Sequence, residues 1–555
     1  MDAYRMAQPH VQCALFGTVL ALSTGCLDRE LRPIQPCLAS AVSQQVDIAN
    51  LDKVDLLFVI DNSSSMEDKQ ANLRQRVPQL VQALVTGKRR PNDPDSFPPI
   101  KDLHIAVVDS DMGLPGVMGI PDCAGYGHDG LFQHIAHPSP ESPQCDALYP
   151  TFLSYSVYDP GGPSAAKIAQ DFGCIANVGA KGCGVEQPLE APLKALWPAA
   201  DARLQFPGTP QQLGHGDREN VGFLRNDPAR GQSLLAIILL SDEDDGSTSE
   251  MELYTPPRAL PQDSWVEPST REELNLRALI GRNRDHLFPI ERYVNGFKAL
   301  RPGQENLVVF AAIVGVPLDL VDNAATARVD FSDSAQRDAY YDSLLADPRM
   351  QHVPDAAPTG SKHGLPACQT SFGKGYPGRR YIEVAKGLGA NATVYSICEP
   401  DYTPALEHVI DLIAERVRPV CLPRPLTRNG AGSVACDVVW ELPNAATRTT
   451  LDAPLDCSER PDFLSAPAAG QPQFTEQGGR LCNVTQVPVI AGQPGVGDGW
   501  YYDNFSPELA QKCDLATPQR VAFTPTAKPP TGVKVRLVCL NETQRVADTA
   551  HAAAP

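Results

Sequence analysis

Residues 54–66 read VDLLFVIDNSSSM. The stretch Val54 to Ile60 is an apolar run of strand length, and such continuity suits a central strand covered on both faces. The run stops on Asp61-Asn62-Ser63-Ser64-Ser65, so a carboxylate and two hydroxyls in the form DxSxS follow directly on a buried strand. Mg²⁺ and Ca²⁺ are hard cations that take oxygen ligands. Two uncharged Ser ligands leave such an ion net positive, with an open position for an acidic partner. Ser65 or Asp68 can equally cap the helix expected from Glu67, so the segment needs a companion before it reads as a site.

The companion is Leu234 to Leu240, the strongest apolar run, which ends in Ser241-Asp242-Glu243-Asp244-Asp245. Consecutive acids repel one another, and a bound cation offsets that repulsion. Leu103 to Val108, Leu307 to Val314 and Ala392 to Ile397 are further strands, and Phe152 to Tyr158 alternates like an edge strand. Between them, Glu67 to Thr86 places Leu73, Val77, Leu80, Val81, Leu84 and Val85 on one helical face. Glu186 to Trp197, Ile290 to Leu300, Arg380 to Leu388 and Pro404 to Val417 are the other helices. This alternation predicts an α/β fold: a doubly wound, Rossmann-like, mostly parallel sheet with helices on both faces. Ligands of such sheets sit at the carboxyl ends of the strands.

At 555 residues the chain is too long for one ordinary core. Three intervals, about 110–165, 247–285 and 317–378, are rich in Pro, Gly, Asp and Ser and read as insertions. From 421 to 546 helical periodicity gives way to short β-like pieces such as Val434 to Leu442 and Val533 to Leu540. Cys421, Cys436, Cys457, Cys482, Cys513 and Cys539 recur through this region, which reads as a small disulfide-rich, β-rich domain. Residues 547–555 are an Ala-rich flexible tail. A formal net charge of −19 disfavours nucleic acid, whose phosphates need clustered Lys and Arg.

Fifteen cysteines without a CxxC pair point to disulfides in an oxidising compartment. The guessed local pairings are Cys123–Cys145, Cys174–Cys183 and Cys368–Cys398. Val11 to Leu22 is short and apolar, too short to span a bilayer and right for a signal-peptide core. Residues 1–25 are therefore read as a signal peptide and 26–51 as a tether. No later run of 18 apolar residues predicts a transmembrane helix. Leu22-Ser23-Thr24-Gly25-Cys26 resembles a bacterial lipobox, which implies lipidation of Cys26 and a membrane anchor; the alternative is a secreted chain with Cys26 in a disulfide. With Cys13 removed and Cys26 acylated, an odd thirteen cysteines remain.

VDLLFVIDNSSSM resembles the first strand and metal-ion-dependent adhesion site of von Willebrand factor A-type (VWA) domains, and LLAIILLSDEDD the strand that ends in the site's later Asp. Gly179 to Ala191 resembles the Gly-rich loop and helix start between them. In detail the chain resembles large secreted A-domain lipoproteins of Gram-negative, particularly myxobacterial-type, bacteria, over about 52–420 less the insertions. The resemblance implies Asp61, Ser63, Ser65 and Asp242 as ligands of one Mg²⁺ or Ca²⁺ ion. It implies a protein partner that offers a carboxylate, and an envelope lipoprotein of the outer membrane, periplasmic or surface-exposed. The family's Thr ligand has no counterpart: Ala180 or Lys181 stands there, and Glu243 or Asp244 is the candidate extra carboxylate. An envelope scaffold with a metal-free site is the alternative. The paired carboxylates also admit a metal-dependent hydrolase as a third reading, but no enzyme is expected, because no His flanks either acidic segment and Ser63 and Ser65 lie in no GxSxG elbow. His128, His134 and His137 have loose zinc-like spacing but read as solvated loop histidines. Mass spectrometry of the mature N-terminus is expected to find acylated Cys26 as the first residue; an unmodified Cys26 leaves the secreted form.

Overall fold

The structure, a computed structural model, describes residues 42–44, 53–90, 97, 99–138, 144–225, 233–256, 273–302, 304–356, 363–417, 422, 425–442, 454–468, 470–475, 478–506, 509, 518–527, 529 and 533–539. The apolar runs become the strands β1 (Lys53–Ile60), β2 (Asp102–Asp109), β3 (Leu153–Ser156), β4 (Leu234–Leu240), β5 (Val308–Val314) and β6 (Ala392–Ser396). They form one six-stranded sheet in the order β3-β2-β1-β4-β5-β6. All neighbours are parallel except the edge strand β3, which runs antiparallel to β2. The chain winds from β1 to one side, through β2 and β3, then returns to place β4 on the other side. The order therefore reverses between β1 and β4, the position at which doubly wound sheets open a crevice.

Side chains of β1 alternate between two cores, as the two-residue strand period demands. Leu56, Phe58 and Ile60 face helices α1 (Glu67–Thr86), α2 (Ala165–Ile175) and, at the far edge, α7 (Thr403–Val417), meeting Leu73, Val77, Phe172 and Ile413. Leu57 and Val59 face the opposite layer, where α3 (Glu190–Leu196), α4 (Ile290–Ala299), α5 (Ser334–Ala346) and α6 (Arg379–Leu388) contribute Leu193, Phe297, Tyr341 and Tyr381. Helices thus cover both faces, as expected. Helix α1 ends on Gly87, whose φ of 69° is a left-handed cap that favours glycine.

Differences concentrate in the insertions. Helix α5 lies inside 317–378, a stretch read as irregular, and α2 follows the first insertion directly. The bridges Cys123–Cys183 and Cys145–Cys174 replace the expected Cys123–Cys145 and Cys174–Cys183, whereas Cys368–Cys398 is as expected. The reason is packing. The loop after β2 folds over the Gly-rich loop, and Cys123 and Cys183 lie in a small core with Leu114, Val185, Leu253 and Tyr254. These bridges tie the insertion to the framework rather than closing it on itself.

A second, antiparallel sheet comprises β7 (Cys436–Leu442), β8 (Leu464–Ser465), β9 (Arg480–Val484), β10 (Lys534–Cys539) and the strand Val42–Gln44. That last strand comes from the segment read as a tether and pairs with β10. Cys436–Cys539 and Cys457–Cys482 bridge this sheet around buried Trp440 and Trp500. Cys13, Cys26, Cys37, Cys421 and Cys513 lie outside the described residues, as do residues 1–25, read as a signal peptide, and 547–555, read as a tail. Among the described residues no helix is long and apolar enough to cross a membrane.

The Cys123–Cys183 bridge closes a separation of 60 residues. Cys123→Ser with Cys183→Ser is expected to cost about 2–4 kcal/mol by chain entropy, read by urea unfolding; an unchanged midpoint contradicts the pairing.

Candidate functional site

Strands β1 and β4 end side by side. Ile60 is in register with Leu240, and the Asp61 backbone N–H donates to the Leu240 carbonyl at 3.0 Å. The Asp61 carboxylate is fully buried: Oδ1 accepts the Ser63 N–H at 2.8 Å and Oδ2 accepts the Ser241 hydroxyl at 2.7 Å. Ser63 Oγ and Ser65 Oγ are 3.2 Å apart, and Ser65 Oγ donates to Asp242 Oδ1 at 2.9 Å. The four residues singled out in the sequence therefore belong to one hydrogen-bonded network. Asp61, Ser63 and Asp242 are buried, whereas Ser65 is exposed and forms the mouth. Ser65 does not cap α1, which begins after Met66, whereas Asp68 in its first turn accepts the neighbouring Lys69 N–H at 2.9 Å.

The Gly-rich loop closes one side. Gln70 Nε2 donates to the Asp61 carbonyl at 2.9 Å and to the Gly179 carbonyl at 2.8 Å. Gly182 N–H donates to the Asn62 carbonyl at 2.9 Å, and a Cβ on Gly182 would come within 1.9 Å of Asn62 Oδ1, so any larger residue there would have to displace the Asn62 side chain. Ala180 is half-buried and Lys181 exposed; among the described residues no ion pair joins Lys181 to the network. The internal cation is Lys69 instead. It is 4% exposed, donates to the Ser65 carbonyl at 2.7 Å and stands 3.3 Å from Asp242 Oδ2.

The acidic run after β4 divides. Asp242 enters the network. Asp244 turns away, accepting the Arg380 N–H at the start of α6 at 3.1 Å with His352 at 3.2 Å, so it is not the spare ligand the sequence allowed. Asp245 is paired with Arg380 at 3.1 Å. Glu243 accepts from Asn275 and stays within electrostatic reach of Asp242 and Asp61.

A further acid joins them. Glu186, read from sequence only as the beginning of a helix, precedes α3 and is 1% exposed. Its Oε2 accepts the Ser110 hydroxyl at 3.1 Å, and its Oε1 has no hydrogen-bond partner. The acid after the Gly-rich loop was visible in the sequence, but only the end of β2, which supplies Ser110, marks it as part of this site.

Crowding raises these carboxyls. Burial, then repulsion from Asp242, pushes Asp61 up to about 6. Burial, then Asp242, pushes Glu243 up to about 8. Burial and then Asp61 hold Glu186 well above the usual carboxylate range. Burial raises Asp242 as well, although Lys69 opposes it. The donors are all oxygens, carboxylate and hydroxyl, which suits Mg²⁺ or Ca²⁺. Among the described residues no group of three or more His, Cys, Asp or Glu side chains alone frames a metal, so the Ser hydroxyls are essential to any such set.

No protein-family model matches the chain, and no curated protein matches it. The solved structures that are distantly similar include two pilus adhesins. The pilus adhesin SpaC from Lactobacillus rhamnosus GG, in an open conformation, is 9% identical with a TM-score of 0.26, over 89% of this chain and 40% of that one. The pilus adhesin RrgA from Streptococcus pneumoniae is 11% identical with a TM-score of 0.19, over 90% of this chain and 58% of that one. This chain thus spans less than two thirds of either adhesin.

The three histidines are not brought together. His128 pairs with Asp109, His134 Nδ1 meets the Phe132 carbonyl at 3.1 Å, and the His137 backbone carbonyl accepts from Asn177 at 2.8 Å.

The raised carboxyls set a pH dependence. A carboxyl whose pKa is higher folded than unfolded favours the fold most below its unfolded value, and that favour is lost as pH rises through the folded value. In chelator, the melting temperature is therefore expected to fall between about pH 4 and pH 8, with Asp61 contributing up to about 6 and Glu243 up to about 8. Calorimetric scans of wild type and Glu243→Gln check this; a wild-type Tm that rises over that range contradicts it.

Proposed function

We propose that this chain is a surface-anchored or secreted protein whose VWA-type domain binds a protein partner through one divalent cation held by Asp61, Ser63, Ser65 and Asp242. The observation that carries the reading is the 2.9 Å hydrogen bond from Ser65 to Asp242, which joins segments 177 residues apart at the point where the strand order reverses. A six-stranded, mostly parallel sheet with helices on both faces is what the VWA resemblance implies. The expected ligands are oxygens on two strand-end loops, and the fully buried carboxylates exceed what Lys69 alone neutralises.

The chemistry follows from the placement. Asp61 is immobilised from both oxygens, by Ser63 and Ser241, and so presents a fixed charge. Ser63 and Ser65 add oxygen without charge. Asp61, Ser63, Ser65 and Asp242 would hold the Mg²⁺ or Ca²⁺ ion, which would supply positive charge for a partner's Asp or Glu carboxylate near the exposed Ser65. No catalytic group is assigned. The disulfides fit an oxidising compartment, and lipidated Cys26 would tether the domain to the outer membrane.

One observation favours the second reading, an envelope scaffold that needs no metal. Lys69 already stands 3.3 Å from Asp242 and gives the network a cation of its own.

Isothermal calorimetry on the mature protein separates the two. Wild type is expected to bind Mg²⁺ or Ca²⁺ at millimolar concentration or below, and Asp61→Ala to bind neither. Silence from wild type with both cations removes the bridging mechanism and leaves the scaffold.

A further inference from the structure

We propose that the end of the C-terminal sheet carrying Ile490 and Val496 is a lipid-contact surface, which lies against the bilayer to which Cys26 would tether the chain. The inference rests on the anchored form proposed above.

The first support is a hairpin held out rigidly. Val489–Ile490 pairs with Gln493–Pro494, and the tight turn between them uses Ala491 and Gly492 at φ 52° and 74°. The inner side chain, Val489, is buried, and its N–H donates to the Gly432 carbonyl at 3.0 Å. Val487, below it, donates its N–H to the carbonyl of buried Trp500 at 2.7 Å. The strand alternation that buries Val489 turns Ile490 outward, at 68% exposure. Val496 is fully exposed, next to a Gly495 whose N–H is fixed to the Pro488 carbonyl at 2.8 Å. Single exposed apolar side chains are ordinary, but two on one fixed loop make a preformed apolar tip.

The second support is charge. The chain is 20% charged with a net −19, yet 481–497 and the facing loop 429–436 contain no charged residue. The charges that bound them in sequence sit at the margins. Arg428 is drawn to the Tyr502 carbonyl at 2.6 Å, and Asp498 accepts from Thr526. An uncharged tip enters an apolar phase without leaving a buried charge behind.

The third support is where the tether arrives. Val42 pairs with Cys539, and Cys539 pairs with Cys436 and is bridged to it. The start of the N-terminal strand therefore shares one end of the sheet with the start of β7 and the end of β10. Strand β9 leaves at that same end: Val484 is opposite Val438, and beyond it Gln486 Nε2 donates to the Cys436 carbonyl at 3.1 Å and the Val434 carbonyl at 3.0 Å. The hairpin follows directly. The chain before Val42 thus meets the sheet at the end from which the hairpin projects. Residues 27–41 lie between Cys26 and that strand, a span on the order of 50 Å when extended. One acyl chain alone binds a bilayer marginally, and a second apolar contact strengthens the hold.

The test places the full mature chain, with Cys26 acylated and as Cys26→Ser, on phosphatidylcholine vesicles with and without brominated acyl chains. Val496→Trp reports on the tip, and Met118→Trp, at an exposed position of the α/β domain, is the control. Both are read against the wild-type background. The Val496→Trp emission is expected to shift blue and to be quenched by brominated lipid in both forms, at higher lipid concentration for Cys26→Ser, while Met118→Trp does neither. Adding Ile490→Asp to Cys26→Ser is expected to weaken vesicle partition about tenfold or more, with circular dichroism verifying the fold. Absence of Val496→Trp quenching in both forms overturns the lipid surface, even where the acylated chain floats with the vesicles and the anchor reading stands. A chain found without an acyl group, whose Val496→Trp is still quenched by excess vesicles, upholds the surface and removes the anchor. A lipid-free dimer that Ile490→Asp dissolves, with no quenching, assigns the tip to a second copy of the chain and overturns the lipid contact.

Discussion

The parallel pairing of β1 with β4 is the constraint on which the rest depends. It runs from Val54 opposite Leu234 to Ile60 opposite Leu240, and both strands are buried on both faces along its length. A slip of one residue would send every side chain to the wrong core, so the register is strongly specified. Because both strands stop together, the residues that follow, Asp61 and Ser241, meet at one edge, and their 2.7 Å hydrogen bond is a direct consequence of the ladder. No loop has to search for this geometry. The same ladder denies the acids an escape, since Asp61 and Asp242 leave apolar strands and remain at 0% and 2% exposure.

That confinement makes the site electrostatically expensive. Burial raises all four carboxyls, Asp61, Asp242, Glu186 and Glu243, the charge of Asp242 adds to the rise of the other three, and among the described residues only Lys69 pairs with any of them at close range. The opposite end of β1 shows a different solution. Asp55 is equally buried, but Arg225 contacts it at 2.7 Å and Arg301 stands 3.8 Å away, so one acid there has two guanidinium partners. The same strand therefore carries a charge-compensated acid at its beginning and an under-compensated group at its end. Structural need explains the first; the second calls for a proton or a cation.

Much of this was legible in the sequence because burial on both faces writes a continuous apolar run. Leu234–Leu240 matches its expected limits to the residue, and α1 likewise spans the expected Glu67–Thr86. Helix α5 was not legible because it buries little: in SAQRDAYYDSLLA only Tyr341 and Leu344 are fully inside, too few for a clear period. Disulfide pairing was misjudged for Cys123 and Cys174, because nearness along the chain says nothing about one loop folding over another. At the site, Asp61, Ser63, Ser65 and Asp242 were visible as strand-end residues of the right chemistry. Lys69 and Glu186 were not, since a Lys in the first turns of a helix and a Glu before another look like ordinary helix surface. Only the tertiary arrangement makes them buried at 4% and 1% exposure.

The insertions now take on a mechanical role. The loop after β2 is bridged through Cys123 to Cys183, and that bridge sits three residues before Glu186. Tyr254, from the insertion after β4, donates its hydroxyl to the Gly246 carbonyl and packs in the same small core as both cysteines. Two insertions therefore clamp the loop that brings Glu186 to the strand ends. A mobile loop would let that carboxylate swing out and hydrate, relieving the repulsion at little cost. A clamped loop forbids the relief, so the charge stays where the ladder of β1 and β4 has already gathered two others. Rigidity built by covalent bridges and apolar packing is thus converted into an electrostatic demand at one point of the fold.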